Sequence, residues 1–138
     1  MVVTKKVSLQ TKGDCDIIDI TSQLEQQLAE TDIRNGTVTL FVSGSTASIA
    51  TIEYEPGLLA DFQGMWDRLI PGNIRYEHDR AWAEANGHSH VRASLLGSSL
   101  VIPISNKRLT LGQWQQIVLV DFDDRPRSRQ IVVQIMGE

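Results

Sequence analysis

All three histidines of this 138-residue chain fall within thirteen positions: His78, then His88 and His90 in the segment Asn86-Gly87-His88-Ser89-His90. On an extended segment, side chains at i and i+2 project to the same side, so His88 and His90 are expected to aim two imidazoles at one metal or one anion. With His78 as a third ligand, the set would leave an open catalytic position on zinc or a similar metal. Neither a Cys pair nor a His-Glu-x-x-His pattern accompanies them, and a polar loop is the competing reading.

Other residue types could serve the same chemistry. Glu53, Glu55 and Asp61 lie close in sequence, and Glu77 and Asp79 flank His78. A carboxylate can orient a histidine by accepting its second N–H, or complete an oxygen-rich Mg²⁺ site. For Glu55, Glu77 and Asp79 a solvated surface is the ordinary alternative. The loop Ser43-Gly44-Ser45-Thr46-Ala47-Ser48 offers four hydroxyls at the end of a strand, where backbone N–H groups can cradle an anion. It lacks the Lys of a P-loop, and a hydroxyl-stabilised turn explains it equally well. Arg125, Arg127 and Arg129 form a local basic patch. Alternation on a strand turns Arg127 and Arg129 the same way, as a grip on phosphate or as ion-pair partners for Asp123 and Asp124.

The elements that must position these groups follow from periodicity. Residues 2–10 alternate as a strand, and 16–20 read as its hairpin partner across Lys12-Gly13-Asp14. A helix is expected from Ser22, where Ser22-Gln23-Leu24-Glu25 fits a capping box, to the stop at Asn35-Gly36. The β-branched run 37–42 is a strand, with a short one near 48–53. A second helix begins near Pro56 and carries Leu58, Leu59, Phe62, Met65, Trp66 and Leu69 as a core-facing stripe before Pro71-Gly72. Strands follow at 99–104, 108–111, 116–122 and 130–136, the last two joined as a hairpin by Asp123-Asp124-Arg125-Pro126. The expectation is one α+β domain over 1–138, an antiparallel β-sandwich with two to three helices.

Composition narrows the function classes. A net charge of −4 argues against a nucleic-acid partner held by bulk electrostatics. No apolar run approaches the length of a membrane span, and the N-terminus lacks the marks of a signal peptide, so a cytoplasmic protein is expected. The lone Cys15 agrees with a reducing compartment and reads as a packed thiol.

Taken together, several segments resemble the YjbQ-like family, also called the secondary thiamine-phosphate synthase family. The resemblance is carried by Thr46-Ala47 with Glu53 downstream, Asp61, Tyr76-Glu77-His78, Asn86-Gly87-His88-Ser89-His90 followed by Ser94-Leu95-Leu96-Gly97, Leu111-Gly112-Gln113-Trp114-Gln115, and Phe122 through Arg129. It implies a compact α+β fold containing a β-sandwich, usually a homotrimer, with sites near subunit boundaries. It also implies an enzyme joining a pyrimidine diphosphate to a thiazole phosphate with release of pyrophosphate. By residue match, His78, His90, Glu53, Asp61, Asn86 and Gln115 are the catalytic candidates. Ser45, Thr46, Arg127 and Arg129 are candidates for holding phosphate, and His78, His88 and His90 for holding a divalent metal, Mg or Zn.

One departure stands out. Where the family usually reads His-Thr-Thr-Ala, this chain reads Gly44-Ser45-Thr46-Ala47. The resemblance therefore points to a transferase acting on a small phosphorylated molecule. The alternatives are a noncatalytic trimer that binds a metal or anion, and a metal-dependent hydrolase built on the three histidines.

Overall fold

The structure, a computed structural model, describes residues 1–82 and 85–138. Its elements run β1 (Val2–Thr11), β2 (Asp16–Asp19), α1 (Thr21–Ala29), β3 (Gly36–Ser43), β4 (Ala47–Ile52), α2 (Pro56–Leu69), α3 (Glu77–Trp82), α4 (Gly87–Leu96), β5 (Ser99–Ser105), β6 (Arg108–Leu109), β7 (Gln116–Asp121) and β8 (Arg127–Gly137). The strands form two antiparallel sheets: β1-β8-β3-β5-β6 and β2-β7-β4.

Alternation along the strands dictates the layering. The large sheet turns Val7, Val38, Leu40, Val42, Ile102, Ile104, Ile131, Val133 and Ile135 inward, where they meet Ile117 and Leu119 of β7 and Leu24 and Leu28 of α1. Strand β7 is central in the small sheet and buried on both faces, so its other face contributes Val118 and Val120 to a second core with Trp66 of α2 and Ala93 of α4. Phe122 lies in that core with its ring centroid 5.0 Å from that of Trp66. The order is therefore large sheet, small sheet, then α2 and α4, with α1 packed into the core between the sheets.

The antiparallel α+β class holds, with four helices among the described residues rather than two or three. Both expected hairpins are corrected. β1 pairs with β8 instead of β2, and β7 pairs with β2 and β4 instead of β8. Each short connection carries the chain from one sheet to the other. In the first, Gly13, Asp14 and Cys15 take φ of 84°, 53° and 61°, a left-handed run that redirects the strand. The two crossings touch: the Asp14 N–H donates to the Asp123 carbonyl at 2.6 Å, and a Cβ on Gly13 would stand 2.7 Å from the Arg125 carbonyl oxygen. Helix α1 also stops early, at Ala29. There the Thr31 hydroxyl donates to the Leu28 carbonyl and accepts from the Ile33 N–H, forming a side-chain turn in place of further helix. Its N-cap is Ile20, with no side-chain cap from Ser22.

No helix among the described residues is long and apolar enough to cross a membrane.

Candidate functional site

The histidine segment is helical, not extended. Gly87–Leu96 forms α4, fixed to the small sheet by Ser89 Oγ donating to the Phe122 carbonyl and Ser48 Oγ donating to the Ala93 carbonyl at 3.1 Å. Gly87 permits its approach to α3, because a Cβ there would lie 2.6 Å from Tyr76 Cβ. The Gly87 N–H donates to Asp79 Oδ1 at 2.9 Å, placing a carboxylate on the positive end of α4.

On a helix, positions i and i+2 diverge by about 200°, so His88 and His90 cannot act as the paired ligands of an extended segment. His90 meets His78, with ring centroids 4.6 Å apart. The His78 Nδ1 is buried without a hydrogen bond, 3.5 Å from Asp79 Oδ1. His88 instead packs near Tyr76, at a ring separation of 6.2 Å, and over Gly72. Burial, reinforced by the positive charge of Arg92, holds His88 below the usual imidazole pKa. Among the described residues, no three His, Cys, Asp or Glu side chains gather as a metal set. A divalent ion would have two imidazoles from this chain, His78 and His90, a donor pair that suits zinc better than magnesium.

Beside the start of α4 lies a buried polar network at the crossing from β7 to β8. Asp123 is fully buried; its Oδ2 accepts from Thr46 Oγ1 at 3.0 Å and Arg127 Nε at 2.8 Å, and its Oδ1 from Asn86 Nδ2 at 3.3 Å. One carboxylate thus joins three candidates from three segments. Asp121 accepts from Thr11 Oγ1 at 2.6 Å and takes Arg129 as a fork, Nε at 2.7 Å and Nη2 at 2.9 Å. Burial alone would push both carboxyls up. Hydrogen bonds from Arg129, Thr11 and the Asp123 N–H outweigh it at Asp121, and contacts with Asp124, Thr46 and Arg127 outweigh it at Asp123, so both sit below the ordinary carboxylate range. Asp124 is pushed up by its contact with the Asp123 carboxyl.

The two arginines differ. Arg129 is buried and spends Nε and Nη2 on Asp121 and Thr46 Oγ1. Its Nη1 stands 2.8 Å from where a Cβ on Gly44 would be. Arg127 is half-buried, and with Nε on Asp123 both of its Nη groups lack hydrogen bonds among the described residues. Of the expected phosphate grip, Arg127 is the free fork. Ser45 is exposed, in a pocket of about 180 Å³ with Gly44, Ala47, Ala93, Ser94, Gly97 and Ser98.

The remaining candidates lie elsewhere. Gln115 donates to Thr51 Oγ1 at 3.3 Å and accepts from the Gly112 N–H at 2.8 Å. Glu53 lines a cleft with Tyr54, Gln113 and Trp114, which is 67% exposed. Asp61 is exposed on α2. In the β4–β7 ladder, Ala47 faces Asp121 at one end and Ile52 faces Gln116 at the other. Five residue steps of strand put about 17 Å between the Thr46 and Glu53 ends.

Asp123 and Asn86 are the hub that sequence reasoning half missed. Asn86 came through resemblance as a site candidate, whereas Asp123 was read as a turn residue and an ion-pair partner. The signal was its place three residues after a buried β-branched run, where a carboxylate leaves a strand too early to be fully solvated.

The sequence pattern of the family described as UPF0047 protein YjbQ-like matches residues 5–138. A UPF0047 protein of Methanothermobacter thermautotrophicus is 36% identical over 137 residues, 99% of this chain and 94% of the relative. The UPF0047 protein YugU of Bacillus subtilis is 33% identical, covering 96% and 98%. Among solved structures, a YbjQ-like protein of unknown function from Sulfolobus solfataricus P2 superposes with a TM-score of 0.95 at 33% identity, covering 100% of this chain and 99% of that one. A YjbQ/UPF0047 protein from Clostridium acetobutylicum gives a TM-score of 0.87 at 34% identity, covering 96% and 99%.

Proposed function

The chain belongs to the YjbQ-like family, and on that premise we propose that the start of α4 binds a small phosphorylated substrate, as in a thiamine-phosphate synthase-like transferase of the cytoplasm. The observation that carries the reading is the Asp123 carboxylate, which fixes Thr46, Asn86 and Arg127 beside the α4 turn bearing His90. Asp123 holds the Nε edge of Arg127 and leaves its two Nη groups as a fork for phosphate oxygens.

In this reading Arg127 and His90 neutralise the charge that develops on departing pyrophosphate, and His78 carries or relays a proton. A divalent ion, were one bound, would be held by neutral His78 and His90 and would supply Lewis-acid stabilisation of the leaving group in place of their charge and proton roles. Thr46 and Asn86 act through Asp123 as positioning residues.

Glu53 and Gln115 enter the same site only if a neighbouring copy supplies them, given their distance along the ladder. A homotrimer arranged head to tail does this, because such an interface joins two different patches and closes by rotation. The exposed Trp114 beside Glu53 supports that patch as one side of the contact.

A second reading has its own observation. The pocket histidine expected from the resemblance is Gly44, and Arg129 Nη1 stands against that glycine. A trimer that binds phosphate without turnover fits this. Incubating the purified protein with the pyrimidine diphosphate, the thiazole phosphate and Mg²⁺ separates the two. Release of pyrophosphate with the condensed product supports the transferase, and its absence beside an active relative leaves the binding protein.

A further inference from the structure

Arg92 stands one helical turn after His88 on α4. With Gln63 and Asp67 of α2, Gly72, Phe122 and the Asp14-Cys15 turn, these two line a cavity of about 400 Å³. Arg92 is buried; its Nε donates to the Ile70 carbonyl at 2.9 Å, and its Nη2 reaches the Trp66 carbonyl at 3.3 Å and Asp67 Oδ1 at 3.5 Å. These contacts close the C-terminal end of α2, where a cation is favoured by the helix dipole. They account for Nε and Nη2 but not for Nη1, which has no hydrogen bond among the described residues. Nor do they account for His88, whose Nδ1 is buried without a partner. Gln63 is committed through Nε2 to the Cys15 carbonyl at 3.0 Å, which leaves Oε1 as an acceptor.

The charges of this lining select a ligand. A dianion such as phosphate would meet two carboxylates, Asp14 and Asp67, and a bare amine would meet a buried guanidinium. A molecule with both signs meets each with its complement. We propose that this cavity is a second ligand site, for a small zwitterion of the amino-acid type. The carboxylate sits on Arg92 Nη1, the ammonium between Asp14 and Asp67, and His88 and Gln63 Oε1 read the side chain. A volume of this size falls within the range of small-molecule sites.

The site shares no residue with the one assigned to phosphate, so failure of either leaves the other standing. The test is titration of the full-length protein with the proteinogenic amino acids, one at a time, following the His88 ring resonances by NMR. For the tightest binder, the N-acetyl and methyl-ester derivatives are titrated alongside. The expected result is saturable binding that weakens about tenfold or more when either charge is masked. Asp14→Asn should weaken it similarly while keeping the fold, since asparagine tolerates the φ of 53° at this position. The proposal is overturned if no amino acid binds, if either masked form binds as tightly as the parent, or if folded Asp14→Asn binds unchanged.

Discussion

The side-chain amide of Asn86 donates to the carboxylate of Asp123 at 3.3 Å, joining the start of α4 to the crossing between the two sheets across 37 residues of sequence. Asp123 holds Arg127 by the same carboxylate. The helix that presents His90 and the half-buried Arg127 are thus positioned by one buried charge.

The two arginines should separate stability from binding. Arg129→Met leaves Asp121 buried without its fork, and loss of one partner from a buried ion pair costs about 3–5 kcal/mol. Arg127→Met should cost less, because the buried Asp123 carboxylate keeps its hydrogen bonds from Thr46, Asn86 and the Asp124 N–H and has Arg129 Nη2 at 3.9 Å. Urea denaturation of both variants checks this, and equal losses would refute the division of roles.

Acid should weaken the fold through the same network. Asp121 and Asp123 are held below the unfolded carboxylate value of about 3.9, so the unfolded chain binds protons first as pH falls. Their contribution is present at neutral pH and is lost progressively below about pH 5, through the depressed folded values. Asp124, pushed up, works in the opposite direction but is mostly exposed. Urea midpoints measured down to pH 3 should fall steadily, and the slope should flatten in Asp121→Asn.

Restoring a histidine at Gly44 should not simply restore a pocket. Gly44 has φ of 137°, and its Cβ would stand 2.8 Å from Arg129 Nη1, a group locked by its hydrogen bonds to Asp121 and Thr46. The strained backbone alone costs about 1–3 kcal/mol. A lowered Tm in Gly44→His is the expected outcome; a Tm at or above that of the parent would show that Arg129 yields readily.

Cys15 should be inert in the native protein. Burial pushes its thiol up to about 11, the charges of Asp67 and Asp16 add to this, and Arg92 only partly opposes it. Iodoacetamide at pH 8 should modify it on the timescale of unfolding, and at once in denaturant. Rapid native labelling would contradict the packing of the first crossing.

Strands and helices α1 and α2 were legible because their apolar residues recur at fixed periods. Partner choice was not: β1 and β2, or β7 and β8, look like hairpins because a turn signal separates two alternating runs. Whether the chain turns back or crosses to another sheet depends on contacts such as Asp14 with Asp123, far apart in sequence. The Gly87–Leu96 helix was hidden because Gly87 and the His-Ser-His-Val run are weak helix formers. Gly87 serves contact with Tyr76, and the helix is held by Ser89 and Ser48. Resemblance supplied His78 and His90, whose rings meet, and Asn86 and Arg127, which share the Asp123 carboxylate, together with Glu53, Asp61 and Gln115, which one chain leaves apart.

The most direct test of the phosphate site is calorimetric titration of pyrophosphate into the native protein. Saturable binding, weakened about tenfold or more in Arg127→Met and in His90→Gln with their folds intact, is the predicted result. No binding, or affinity unchanged in both variants, would contradict the assignment of the α4 start as the site of a phosphorylated substrate.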